Sequence, residues 1–155
     1  MSSANSVDRA ELPPRLAELV EEFSEVGVKD RLQLLLELSE ELPALPDRYA
    51  GHREDMEQVH ECQTPLFLAV EVDSGRVVHL FFDAPPEAPT TRGFASIMHT
   101  GLDGESADTV LTVPNDFYLN LGLAEAVSPL RLRGMAAMLS RIKKQVAANL
   151  TVGGG

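Results

Sequence analysis

Two runs rich in β-branched and aromatic residues, LFLAVEV at 66–72 and RVVHLFFD at 76–83, flank the turn-forming triplet Asp73-Ser74-Gly75. Such side chains fit a pleated surface, and a short Asp/Ser/Gly break lets the chain reverse, so the pair reads as a β-hairpin. EQVHEC, just ahead of Pro65, is a candidate for a third, edge strand that the proline ends. A sheet this small must bury its apolar face against something else, and the other periodic segments of the chain are helical. The expected fold is therefore α+β: a small antiparallel sheet of about three strands packed with N-terminal and C-terminal helices.

Pro13 and Pro14 suit a helical first turn, where a missing N–H costs little, and Leu16, Leu19, Val20 and Phe23 recur at helical spacing before Gly27 ends the element. A second, leucine-rich helix (RLQLLLELSEEL) is expected to be capped by Asp30, with Gln33 closing a capping box, and to stop before Pro43. PALPDRYAGHREDMEQ then reads as a long connection, because two prolines and Gly51 oppose a regular element. Beyond the hairpin, APPEAPTT is expected as a loop and RGFASIMHTGL as a short helix. Ser106 is expected to cap a turn through Leu111, and Asn115 a short helix that ends at Gly122. Ser128 and Pro129 open a last helix over 128–148, with Leu130, Met135, Met138, Ile142 and Val146 along one face. Residues 1–10 are expected to form a mobile leader, 11–150 a single domain and 151–155 a frayed tail.

Of the 155 residues 44% are hydrophobic, enough for a core and too many for a disordered chain. No apolar run reaches the roughly 18 residues that a membrane span needs. The N-terminus has no basic start followed by an apolar stretch, which argues against a secretory signal and for the cytoplasm. The net charge of −11 is uneven: residues 1–61 carry 15 acidic and 6 basic side chains, whereas residues 129–155 carry 5 basic and no acidic ones. An acidic surface repels nucleic acid and anionic lipid, so neither is an expected partner. The same charge also serves plain solubility.

Cys62 is the single cysteine, so the chain has no internal disulfide and cannot by itself supply the several thiolates of a cysteine-rich zinc or cluster site. It follows the long connection and precedes a strand, a place near the surface where a thiolate could react. Read alone, it is better explained as a small buried hydrophobe, because free cysteine is among the most buried residue types.

The blocks around this cysteine resemble the SufE family of sulfur acceptors. That family has a pattern close to Val-x-Gly-Cys-Gln-Ser-x-Val-Trp leading into a strand. Here Val59, Cys62 and Gln63 match, Thr64 replaces the serine, and Leu66-Phe67 stand for the apolar pair. Arg92-Gly93 resembles the family's basic-residue–glycine step. LGLAEAVSPLRLRGMAAMLSRIK resembles its Leu-Gly-Leu and Ser-Pro-x-Arg-x-x-Gly blocks, with Leu121, Gly122, Leu123, Ser128, Pro129, Arg131 and Gly134 in place. ELPALP resembles the family's leucine–proline segment, and the likeness spans residues 12–148. The related CsdE branch has a similar domain.

The resemblance implies a role. Cys62 would take the outer sulfur of a persulfide held by a pyridoxal-phosphate-dependent cysteine desulfurase, stimulate that enzyme, and pass the sulfur toward an iron–sulfur scaffold. The chain would be a carrier and not an enzyme in its own right. It would hold no cofactor, since the pyridoxal phosphate belongs to the partner. His60, Glu61, Gln63, Arg92 and Arg131 are the expected partner-binding residues or supports of the cysteine loop. Glu61 departs from the family's glycine, and a carboxylate beside a thiol disfavours the thiolate; Arg131 or Arg92 would offset this if the fold brings either close. The rival reading is a small interaction or regulatory domain with a non-reactive cysteine.

Two other chemistries would also use these residues. His52, His60, Glu61 and Cys62 resemble metal ligands, and an extended segment would point His60 and Cys62 the same way, but the set is a poor preformed site. Cys62 with His99 and Asn115 or Asp116 would imitate a cysteine hydrolase, yet no nucleophile motif is present. His99 reads as a core or boundary residue, and Met98, Met135 and Met138 as core fillers.

Overall fold

A computed structural model of the chain describes residues 12–62 and 64–153. The expected leader at 1–10, Gln63 and residues 154–155 lie outside the described residues. The elements run α1 (Pro14–Ser24), α2 (Val28–Ser39), β1 (Glu57–Gln58), β2 (Phe67–Val72), β3 (Val78–Asp83), α3 (Pro89–Leu102), α4 (Ala107–Thr112) and α5 (Pro129–Gly153), with short 3-10 turns between some of them. The strands form one antiparallel sheet in the order β1-β2-β3, so the architecture is α+β, as the sequence implies.

The hairpin register pairs Phe67 with Asp83 and Val72 with Val78. Period-two alternation then puts Leu68, Val70, Val78, Leu80 and Phe82 in the core. The turn is longer than the Asp-Ser-Gly triplet. Asp73 Oδ1 accepts from the N–H groups of Gly75 and Val77, and Arg76 sits at φ 63° in the left-handed region. Arg76 therefore belongs to the turn, and β3 starts two residues later than the β-rich run suggests.

The opposite face of the sheet is covered by the long connection. Tyr49 stacks on Phe81 with ring centroids 4.9 Å apart, and its hydroxyl donates to Glu71 at 2.8 Å. Arg48 grips Glu71 through two bonds of 2.9 Å, while Arg53 pairs with Asp83 at 2.7 Å and lies over the Phe67 ring. The segment that lacks regular structure thus has a packing role, as a polar and aromatic cover.

On the core face, α3 is the central helix, packed on α1, α2, α5 and β3. Phe94, Ala95, Ile97, Met98 and Leu102 are all buried. Gly93 permits the crossing with α2: a Cβ there would stand 2.7 Å from both Leu35 Cδ1 and the Leu35 carbonyl oxygen. Leu16, Leu19, Val20 and Phe23 of α1 are buried as their spacing predicts. Met98, Met135 and Met138 are fully buried core fillers.

Several local expectations need correction. Gly27 does not end α1, which stops at Ser24; it is the extended residue ahead of α2. Asp30 lies inside the first turn of α2 and makes no cap bond, and Gln33 donates to Glu37 instead of closing a box. Asp30 still favours the helix through the dipole at its N-terminus. α3 begins at Pro89, three residues before Arg92, because a proline fits a first helical turn. Ser106 does cap α4, accepting from Thr109 N–H. Asn115 caps nothing; the segment Phe117–Leu121 is a 3-10 turn ended by Gly122 at φ 67°. Ser128 Oγ accepts from Arg131 N–H at the head of α5 at 3.3 Å. α5 runs to Gly153 rather than 148. Leu130 is 47% exposed and is not on the apolar face, which is carried by Leu132, Met135, Met138, Leu139, Ile142 and Val146.

Candidate functional site

The cysteine lies in a loop closed by two buried anchors. Val59 N–H donates to the Leu66 carbonyl at 2.8 Å, extending the pairing of β1 with β2, and both side chains are buried. Between them the chain turns back, with Cys62 N–H donating to the Val59 carbonyl at 3.2 Å. Residues 60–62 are therefore a turn and not an extended strand, which removes the expectation that His60 and Cys62 share a face. Thr64 fastens the far side of the loop by donating to Thr91 Oγ1 on α3 at 3.1 Å.

Cys62 is half-buried and packs against the core. Its floor is Gly134 of α5, where an added Cβ would come within 3.0 Å of Cys62 Sγ. The glycine of the Ser-Pro-x-Arg-x-x-Gly block is thus the surface on which the thiol rests. Burial pushes the Cys62 thiol from an ordinary 9.0 up to about 11; the Glu61 carboxylate adds to the shift and the Arg141 guanidinium opposes it. In this geometry almost all of the sulfur is thiol at neutral pH, and the thiolate is the nucleophile.

Glu61 is held by Arg141, whose Nη2 donates to Glu61 Oε1 at 2.6 Å. The other terminal nitrogen of the same guanidinium donates to Glu57 of β1, and Gln145 Nε2 donates to Glu57 Oε1 at 2.8 Å. Arg141 keeps the Glu61 carboxyl below the usual carboxylate range. Further along, Gln145 Oε1 accepts from Val70 N–H and Asn149 Nδ2 donates to the Val70 carbonyl, each at 3.0 Å. The basic final helix and the acidic cysteine segment thus meet, which gives the uneven charge along the sequence a structural meaning.

The expected site residues divide. His60 is exposed at the crown of the turn, and Glu61, next to the cysteine in sequence, is tied to Arg141 of α5. Arg131 is exposed on α5, one turn before Gly134 and so on the same side of the helix. Arg92 is directed elsewhere: it donates to the Ala84 carbonyl at 2.6 Å and the Ser39 carbonyl at 3.3 Å, tying α2 to the end of the sheet. Its neighbour Thr91 is the α3 residue that reaches the cysteine loop. The cation that offsets Glu61 is therefore Arg141, which the sequence reading missed. A signal was present: Gly134, Met138, Arg141, Gln145 and Asn149 form one stripe at helical spacing, apolar at its start and polar after it.

The other chemistries find no support at Cys62. His99 is paired with Asp103 at 3.8 Å and lines a separate cavity with Leu42, His79 and Phe82. Among the described residues, the acidic and histidine groups close enough to share a cation are His52, Glu54 and Asp55, all exposed and excluding His60 and Cys62. No described helix is long and apolar enough to cross a membrane.

Comparison with known proteins agrees with this geometry. Residues 17–146 match the family described as "SufE: Fe-S metabolism associated domain". A SufE-like protein of Mycobacterium tuberculosis is 57% identical over 137 residues, covering 88% of this chain and 94% of that protein. The sulfur acceptor protein CsdE of Escherichia coli is 26% identical over 115 residues, 74% of this chain and 75% of that one. A solution structure of a Thermus thermophilus protein superposes with a TM-score of 0.79 at 43% identity, over 90% of this chain and 98% of the other. The fold, the order of the sequence blocks around Cys62 and these relatives agree: the chain belongs to the SufE family.

Proposed function

We propose that Cys62 accepts sulfane sulfur from the persulfide of a pyridoxal-phosphate-dependent cysteine desulfurase and passes it toward an iron–sulfur scaffold. The observation that carries this reading is the placement of the chain's single thiol: in a surface loop, on the glycine of a family block, with no second cysteine to divert it. The Cys62 thiolate attacks the outer sulfur of the donor persulfide. A new S–S bond forms on Cys62, the donor's S–S bond breaks, and its electron pair stays on the donor cysteine, which takes up the proton Cys62 gave up. No net oxidation occurs, and one cysteine suffices because the sulfur arrives from one protein and leaves to another. The chain acts in the cytoplasm as a carrier that raises desulfurase turnover.

In this reading His60, Gln63 and Arg131 meet the partner, and Glu61 sets how readily the loop opens. Support comes from the name of the E. coli relative, a sulfur acceptor, and from the match with a family described by iron–sulfur metabolism. The test is mass spectrometry after incubation with cysteine and a desulfurase. The wild type gains one sulfur on Cys62 and Cys62→Ser gains none. Desulfurase stimulation that survives Cys62→Ser would identify a regulator with a non-reactive cysteine and overturn the carrier reading.

A further inference from the structure

Glu61 and Arg141 lie 80 residues apart in sequence and meet at 2.6 Å. The contact joins the residue beside the reactive sulfur to the helix that forms its floor. Arg141 is fixed from its other side by Glu57, and Glu57 by Gln145, so the guanidinium is an anchored partner for Glu61. Glu61 itself is 48% exposed, so solvent or a docking protein reaches the pair. A cleft of about 230 Å³ lined by Glu57, Glu61, Ala137, Ser140, Arg141 and Lys144 opens directly beside it. The Nε–H of Arg141 is buried and has no acceptor among the described residues, which offsets part of what the closed arrangement gains.

We propose that Arg141 is a positioning residue for the sulfur transfer at Cys62, and that its ion pair with Glu61 latches the cysteine loop shut against α5 until a sulfur donor docks. The inference rests on the carrier reading for its purpose and on the ion pair for its mechanism. With the latch closed the sulfur faces Gly134. With it open, Cys62 swings away from α5 while Val59 and Leu66 stay anchored. A docking protein opens the latch when a group of its own enters the cleft and competes for Arg141 or Glu61. Glu61 then has a function that the family's glycine at this position does not supply.

The test is alkylation of Cys62 by iodoacetamide as a function of pH, which needs no desulfurase. Glu61→Asp keeps the negative charge but withdraws it from Arg141 by one C–C bond, about 1.5 Å. The latch predicts an alkylation rate about two- to fivefold higher, the range an exposed ion pair controls, with the pH of half-maximal rate moved down. A carboxylate acting only through its charge predicts no gain. Arg141→Gln removes a cation that favours the thiolate, so a purely electrostatic role predicts slower alkylation, whereas the latch predicts faster. Arg141→Lys, which retains one bond to Glu61, stays nearer the wild type. Faster alkylation in both Glu61→Asp and Arg141→Gln supports the latch. An unchanged or slower rate in either, with native circular dichroism, overturns it. Should Arg141→Gln fail to fold, Glu61→Asp on the exposed turn decides alone. The sulfur-mass experiment on the wild type judges the carrier reading separately, so the two failures are distinguishable.

Discussion

Replacing Gly134 with alanine tests whether packing against α5 is what silences the thiol. The new Cβ would stand 3.0 Å from Cys62 Sγ and 3.4 Å from its Cα, so one side must yield by a few tenths of an ångström. α5 is held by the buried side chains of Met135, Met138 and Leu139, whereas the cysteine loop is held by one backbone bond within its turn, the Thr64–Thr91 hydroxyl bond and an exposed ion pair. The loop therefore moves and the sulfur gains water. If hydration returns the thiol from about 11 to its ordinary 9.0, the thiolate fraction near neutral pH rises by two powers of ten. The less basic thiolate is a weaker nucleophile, with a Brønsted slope of about 0.4–0.5, which takes back a factor of about 6 to 10. The ceiling on the gain in rate is then about tenfold to fifteenfold. Thionitrobenzoate release from its symmetric disulfide, followed by absorbance against pH, reads both the rate and the titration. Stability should change little, because the roughly 1 kcal/mol that alanine gains over glycine in a helix offsets the strain of the contact. A folded Gly134→Ala protein that reacts no faster than the wild type would refute the packing account of the silent thiol.

Other outcomes follow from the fold. Gly93→Ala should lower stability by about 1–3 kcal/mol in urea unfolding, because its Cβ would meet the Leu35 backbone oxygen, which cannot rotate away. Gln145→Ala leaves the Val70 N–H without its side-chain acceptor and removes one of the two donors to Glu57; a loss of about 1–3 kcal/mol is expected in the same assay. Burial holds the His99 pKa below its ordinary 6.5, with the nearby Asp103 opposing the shift. The unfolded chain therefore takes up the proton first as pH falls, so the stabilising contribution is full above 6.5 and is lost on acidification toward the folded value. His99→Gln should flatten the slope of stability against pH in that window, as read by thermal melts.

The sequence showed the hairpin, the helical flanks and the cysteine because each has a local signature: β-branched runs about a turn, apolar spacing, a single sulfur. It also placed the Ser128 cap and the buried methionines. It misplaced Arg92 because proximity along a resemblance says nothing about where a long guanidinium points, and Arg92 serves the carbonyls of Ser39 and Ala84. It missed Arg141 because the pair with Glu61 exists only once α5 has folded back on the loop. The capping box at Asp30 failed because the chain enters α2 three residues earlier, with Gly27 at the cap position and Val28 the first helical residue, so the aspartate lies one turn too late to cap.

The bonds from Gln145 and Asn149 to Val70 bear on what happens if the cysteine turn lifts. β1 is only two residues long, and beyond it the flank of β2 is occupied by side chains of α5 instead of a neighbouring strand. An exposed strand flank is adhesive: it invites another chain to zip on and seeds aggregates. Here the flank is plugged at Val70 by bonds that do not involve the cysteine turn. A cysteine turn that lifted would therefore expose its sulfur without also exposing a sticky edge to copies of the molecule itself.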